Sequence, residues 1–498
     1  MGRLVRILIV SLAVALLLSG VGWGQGRLVV GVPADVDGLD PHRTVAAATF
    51  QVVCNIYDTL VEVTPDGRLV PGLAASWEIS PDGLQYTFTL HQGIKVHTGR
   101  DLQAADVAAS FQRILNPATN HPRAADYRVI EAIETPDAAT VIFHLREKNP
   151  AFLSNLAMGW AAIVPPEAVA EAKFRPIGTG PFTFLDWVPD SHLVLRRFPD
   201  YFRPGEPLLD EVVFRVIPEP SVGIISLKTG AVDVLSWLAP QDVASVKADP
   251  RLKVVESPMN GIYLLALNNA RPPLDDRRVR QAINLAIDKQ AIVDGVHWGQ
   301  GQVIGSHMPP VSPFYAELTD IYPYDPDKAR QLLAEAGCEE GFELTITLPQ
   351  PYDFHIRNGE IIAQQLERVG IRVRLEVMEW GNWLDRVYFG RDYQAATIGH
   401  TGRLDPDPFL NRYTSDSREN YMNYQNPDYD ELVKVGAATL DMEERVRIYR
   451  RLQEMLAEDA VAVYLMSPNL AVGMRANVSG WQIYPIDILN LRRVYKEE

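Results

Sequence analysis

The sequence predicts an α/β protein built from at least two lobes, and three observations carry that reading. A chain of 498 residues exceeds the roughly 250–300 residues at which one hydrophobic core stops growing. Its first half is punctuated by strand and turn signals, including Pro-Asp-Gly at 65–67 and again at 81–83. Beyond Pro258 amphipathic helices alternate with short strands, the pattern of layered α/β architecture. Hydrophobic residues at 47% and charged residues at 22% are ordinary for globular chains. Disordered, collagen-like and polytopic membrane classes are excluded.

The first segment sets the compartment. Arg3 and Arg6 precede an apolar run over 7–18, broken only by Ser11, and then a stretch rich in small residues to Gly26. The run is too short for a bilayer, which needs about 20 residues. It suits the apolar centre of a secretory signal peptide over 1–24, cleaved after Gly24. No cysteine lies near that site, so the exported protein is expected to be soluble and not a lipoprotein.

Residues 28–32, closed by Pro33, read as a buried strand, and 50–60 as a helix with Val53, Ile56, Tyr57 and Leu60 on one stripe. In each Pro-Asp-Gly, proline presets φ and glycine supplies positive φ. These turns bracket Trp77-Glu78-Ile79, and Gln85–Leu90 alternates strictly, giving an antiparallel meander. Asp101 leads into a helix over 104–111, closed by Asn116-Pro117. Thr140–Leu145, 182–187 and His192–Arg197 read as strands, with Gly178-Thr179-Gly180-Pro181 as punctuation. Helices follow over 277–294, from Asp325-Pro326 to Gly337, over 361–369 to Gly370, and over 443–459. Strands are expected at 373–378, 461–465 and 469–474.

The chain carries 47 Lys+Arg against 63 Asp+Glu, a net charge of −16. That balance, without a basic cluster, argues against nucleic acid. Cys54 and Cys338 match no metal or redox spacing; they read as two buried free thiols, with one long-range bridge as the alternative. No phosphate-binding loop, nucleophile elbow, zinc helix or dinucleotide fingerprint occurs. The ten histidines include no pair at helical spacing, so a His-rich metal site is not expected. Asp405 and Asp407 flank Pro406 and read as a rigid turn rather than an acid/base pair.

Short motifs follow one another along the chain: Asp40-Pro41; Tyr57-Asp58-Thr59-Leu60; Leu73-Ala74-Ala75-Ser76-Trp77-Glu78; Ala105-Asp106-Val107; Gly178-Thr179-Gly180-Pro181-Phe182. They continue with Asp200-Tyr201-Phe202, Gly230-Ala231-Val232-Asp233, Arg280-Gln281-Ala282 with Ala286-Ile287-Asp288, and Tyr324-Asp325-Pro326. In these the chain resembles the family 5 extracellular solute-binding proteins of ABC importers, the group of dipeptide- and oligopeptide-binding proteins. The resemblance implies a two-lobed periplasmic-binding-protein fold of the large type. Domain I would take 27–258 and 477–498, with an inserted subdomain at about 45–178, and domain II would take 262–474. A two-strand hinge would lie near 259–262 and 474–477.

The implied function is capture of a peptide or peptide-like solute between the lobes and delivery to the membrane permease subunits. No cofactor, metal, catalytic residue or nucleic acid is implied, and the protein would act as a periplasmic monomer. An oligosaccharide or metal-chelate ligand in the same fold is an alternative; a secreted hydrolase is the rival from another class. The resemblance places Tyr352 and Arg357 near a ligand carboxylate. Trp380, Trp383, Tyr263 and His400 are candidate cleft residues. Peptide-binding relatives carry a carboxylate for the ligand's α-amino group where this chain has Arg403, after Gly399-His400-Thr401-Gly402. Either Asp405 takes that role or the site has changed sign; Arg403 would then face the ligand, or else pair with Asp405 or Asp407.

Overall fold

A computed structural model of the protein describes residues 26–350 and 353–497; the expected signal peptide and Tyr352 lie outside the described residues. The chain enters with β1 (Arg27–Val32) and α1 (Ala47–Val53). A four-stranded antiparallel sheet follows, made of β2 (Ala74–Ile79), β3 (Gln85–Leu90), β4 (Ile130–Glu134) and β5 (Thr140–Leu145) in the order β2-β3-β5-β4. The β2-β3 hairpin is the antiparallel pair expected around Trp77–Ile79, but the sheet is not a meander, because β5 and not β4 lies beside β3. Gly83 takes φ 72° in the β2–β3 turn and Gly67 82° in the turn ahead of β2. α2 (Ala104–Leu115) packs on β5 through Phe111, whose ring meets Phe143 edge-on. β6 (Phe182–Val188), β7 (His192–Arg197) and β8 (Glu211–Val216) then return to β1, which pairs in parallel with β8 on one side and β9 (Val234–Leu235) on the other.

β10 (Leu252–Pro258) leads through Met259-Asn260 into β11 (Gly261–Leu267) and the second lobe. There α3 (Arg277–Ala286), α4 (Lys289–His297) and α5 (Pro326–Glu335) precede β12 (Phe342–Pro349), α6 (Asp353–Glu367), β13 (Ile371–Met378) and β14 (Ala395–Thr401). The Asp325 side chain caps α5 by accepting the Lys328 amide, as its Asp-Pro start predicts. α7 (Met442–Glu458) feeds β15 (Ala462–Arg475). The main sheet runs β13-β12-β14-β11-β15-β9-β1-β8-β7-β6, with β10 and a short strand at Gly301–Val303 also paired to β15.

The lobes are separate hydrophobic units. Buried clusters of lobe I draw on residues 28–252 and 471–494, and those of lobe II on 262–466. β15 belongs to both: residues 462–466 pair with β11, and 469–475 with β10. The exchange therefore falls at Ser467-Pro468, several residues ahead of the crossing expected at 474–477. It also merges the two short strands expected there into one of 14 residues. Proline normally interrupts a central strand because it has no N–H to donate. Pro468 is accommodated where the ladder changes partner, and its carbonyl accepts the Met259 amide at 2.8 Å.

Two helices differ from their periodicity for tertiary reasons. The helix expected over 50–60 stops at Val53 because the next side chains turn to other segments. Asn55 donates to the Leu489 carbonyl at 2.9 Å. The Asp58 carboxylate accepts from the Thr179 and Tyr201 hydroxyls at 2.8 and 3.1 Å. The expected helix over 277–294 is split at Ile287, which is extended, and Asp288 caps the second half through the Ala291 amide.

Candidate functional site

A cavity of about 640 Å³ lies between the lobes, at the hinge. That volume is within the range of small-ligand sites, roughly 300–1,000 Å³. Lobe II supplies Tyr263, next to the hinge on β11, and Phe354 and Arg357 from α6. The Tyr263 ring stacks on Phe354 with centroids 4.8 Å apart. Gly399 on the neighbouring β14 makes room for it, since a Cβ there would lie 2.9 Å from the Tyr263 ring. Arg357 lies three residues beyond Phe354, about one helical turn along the same face. Trp298 also reaches the cavity, as the left-handed C-cap of α4 at φ 50°. A bulky residue held there costs of order 1–2 kcal/mol, a strain of the kind found at functional sites.

The Thr401-Gly402-Arg403 segment is fixed by Asn260 of the hinge. The Gly402 amide donates to the Asn260 carbonyl at 2.6 Å. Asn260 Nδ2 donates to the Pro485 carbonyl at 2.7 Å, tying in the C-terminal strap of lobe I. Arg403 consequently projects across the cleft. Its Nη1 donates to Asp126 of lobe I, shortly before β4, at 3.3 Å, and its guanidinium lies 5.9 Å from the Trp160 ring centroid. Arg123 sits 5.6 Å from the same ring. Burial, together with the neighbouring Arg123 charge, lowers the Arg403 pKa. Arg123 itself makes no side-chain hydrogen bond or ion pair with a described residue, and its Nε is buried without a partner.

The remaining wall is lobe I. Trp237 and the strap bearing Trp481, Tyr484 and Asp487 close the cavity. Asp487 has no hydrogen bond or ion pair with a described residue, and burial raises its pKa. Asp487 is an exposed residue on the cavity wall. Ser236 Oγ, Gln300 Oε1, Trp160 Nε1 and Trp481 Nε1, all on wall residues, are also buried without partners.

Of the residues singled out in the sequence, Tyr263, Arg357 and Arg403 line this cavity and four others do not. Trp380 and Trp383 stack on each other at 5.3 Å, and Trp383 is 1% exposed inside the lobe II core. His400 points behind the wall, with its Nδ1 2.9 Å from His307 and its Nε2 3.0 Å from the Tyr421 hydroxyl. Burial lowers both imidazole pKa values and keeps the rings neutral. Asp405 is bound by Arg445 at 2.9 and 3.0 Å. Asp407 accepts the Tyr449 hydroxyl at 2.9 Å. Neither aspartate pairs with Arg403, whose partner is Asp126. Sequence reasoning missed Arg123, Trp160, Trp237, Trp298, Trp481 and Asp487. Of these only Trp298 left a local signal, an aromatic at a helix end just before Gly299.

Among the described residues, no group of three or more His, Cys, Asp or Glu is placed to hold a metal ion. Cys54 and Cys338 are free and half-buried. No helix among the described residues is long and apolar enough to cross a membrane.

Residues 68–421 match the family of bacterial extracellular solute-binding proteins, family 5. The chain belongs to that family. This solute-binding protein is 32% identical to di/tripeptide-binding protein 1 of Pseudomonas aeruginosa, covering 91% of this chain and 90% of the relative. It is 30% identical to the dipeptide-binding protein of Escherichia coli, over 90% of this chain and 91% of that one. Among solved structures it is similar to the periplasmic binding protein DppA of Helicobacter pylori in complex with the peptide STSA. That match has a TM-score of 0.78 and 29% identity, covering 95% of this chain and 98% of the other. The two-lobed periplasmic-binding-protein fold is thus shared.

Proposed function

We propose that this protein captures a peptide or peptide-like solute between its lobes, in the periplasm, and presents it to the permease subunits of an ABC importer. The observation that carries the reading is the cavity at the hinge, walled by aromatic rings and charged groups from both lobes. Peptide-binding relatives over nearly the whole chain support the ligand class. Closure follows from affinity, because a ligand shifts the equilibrium by its preference for the closed state. A Kd near 1 μM corresponds to about −8 kcal/mol, enough to move a hinge whose states differ by a few kcal/mol. Binding without turnover is the expected activity.

Calorimetry against di- and tripeptides tests the reading, with scattering and a hydrolysis assay on the same sample. Binding with a smaller radius of gyration and intact peptide supports it. Conversion of the peptide at a rate scaling with protein overturns it. The tryptophans on the wall would also suit a sugar ring, so maltotriose belongs in the panel; its binding in place of every peptide would move the ligand class.

A further inference from the structure

Two exposed tryptophans narrow the ligand class, an inference that rests on the peptide reading. Trp237 and Trp298 stay 44% and 46% exposed, and both stand on the cavity wall. Every other described tryptophan is buried or half-buried. Neither indole makes a ring contact or a side-chain hydrogen bond with a described residue. They come from opposite lobes yet hang on one strand. Leu238, after Trp237, donates its amide to the Ala471 carbonyl of β15 at 2.8 Å. Past Trp298, the Gln300 carbonyl accepts the Asn469 amide at 3.3 Å, and Gly301 pairs with Pro468. Asn469 and Leu470 line the cavity at these anchors. Two residues of a strand span about 7 Å. That is the width in which two rings take a third between them, at roughly 3.5 Å on each face. The left-handed backbone of Trp298 holds an indole where glycine would be free of strain. Ser236 Oγ beside Trp237 and Gln300 Oε1 near Trp298 are buried without partners.

We propose that Trp237 and Trp298 determine specificity by taking one planar aromatic side chain of the peptide between their rings. Stacked aromatic contacts add to the area they bury. A flat ring therefore gains over a saturated ring of the same outline, which is thicker and has no π face. The peptide group next to the ring supplies a donor and an acceptor for Ser236 and Gln300, as buried polar atoms require. The ring also acts on closure. One of its faces meets lobe I and the other lobe II, so both are covered only when the lobes are together. A ligand with such a ring binds the closed state better than the open one. An alanine side chain leaves the gap unfilled and both indoles exposed.

Calorimetry on the purified protein with matched dipeptides tests this. The probes are L-alanyl-L-phenylalanine and L-phenylalanyl-L-alanine, the same two with L-cyclohexylalanine in place of phenylalanine, and L-alanyl-L-alanine. The better phenylalanine probe is expected to bind at least tenfold more tightly than Ala-Ala. It should also bind at least fivefold more tightly than its cyclohexyl counterpart. Trp237→Leu and Trp298→Gly should each bring that phenylalanine-to-cyclohexylalanine ratio towards one, whereas Trp237→Tyr, which keeps a ring, should retain it. Trp298→Gly removes an exposed side chain and a strained φ, so it should melt no lower than the wild type. That separates loss of the subsite from loss of the fold. A cyclohexyl probe or Ala-Ala binding as tightly as both phenylalanine probes would overturn the proposal and leave peptide capture standing. So would a ratio unmoved by either variant. Failure of all the peptides would overturn both readings.

Discussion

Arg445 and Asp405 form a two-pronged ion pair with side chains only 2% and 6% exposed. Asp405 Oδ1 also accepts the Asp407 amide at 3.0 Å. Removing one partner of such a pair leaves an uncompensated buried charge, at about 3–5 kcal/mol. Asp405→Ala should therefore lower unfolding free energy by that amount in a denaturant titration while leaving the order of peptide affinities unchanged. A variant of normal stability that has lost binding would return Asp405 to the cleft. Asp58 allows a second test. Burial, reinforced by the Glu62 carboxylate, pushes its pKa up to about 6, above an unfolded value near 3.9. Its contribution to stability is thus fully present below about pH 4 and is lost as pH rises through about 6. Relative to Asp58→Asn, the wild type should lose about 2–3 kcal/mol between pH 4 and 7; a flat difference would contradict the burial argument. Residues beside the hinge or inside a contiguous motif, such as Tyr263 and Arg403, could be assigned near the cleft from sequence. Trp160, Trp237, Trp481 and Asp487 could not, because only tertiary packing brings their segments together. Trp380 and Trp383 misled because rings at helical spacing satisfy each other locally.

Local pattern was most legible where an element carries its own start and stop signals. α5 has Asp325 at one end and Gly337, at φ 77°, beyond the other. It was least legible where a distant segment competes for the backbone, as at Asn55 and Asp58 after α1. The 399–403 segment lies between these cases, and its glycines have separate tasks. Gly399 makes room for the Tyr263 ring, whereas Gly402 sits directly against Asn260. A Cβ at Gly402 would collide with Asn260 Oδ1 and lie 2.8 Å from the Asn260 carbonyl oxygen, which is backbone and cannot swing away. Gly402→Ala should therefore lift the loop and displace Arg403. The expected cost is about 1–3 kcal/mol of stability, with at least a tenfold rise in Kd for the best-binding dipeptide. An alanine variant with unchanged affinity would show that Asn260 does not set the position of Arg403.

At the scale of the whole molecule, the contacts that join the two cores across the cleft include three side chains of the second lobe. Leu404 packs on the lobe I cluster, Leu440 lies against the Gly83 turn, and Arg403 reaches Asp126. The two-lobe division could be read from length and texture, but the exchange point could not, because nothing local to 462–475 announces a change of partner. That shared strand also fixes the order of assembly. β15 begins at residue 462 of 498 and completes the sheets of both lobes. Such pairings close loops of about 200 residues or more back to β10 and β11, which makes them slow. A chain emerging from its N-terminus would have most of its mass in place before either sheet could be finished. Truncation after Asp459 should then abolish the cooperative unfolding transition of both lobes in calorimetry. A truncated chain that still melts as an intact first lobe would show that this half needs no help from the end of the chain. If the transition is lost, maturation of this protein is decided by the arrival of its last forty residues or so, and a nascent chain stays pliable until then.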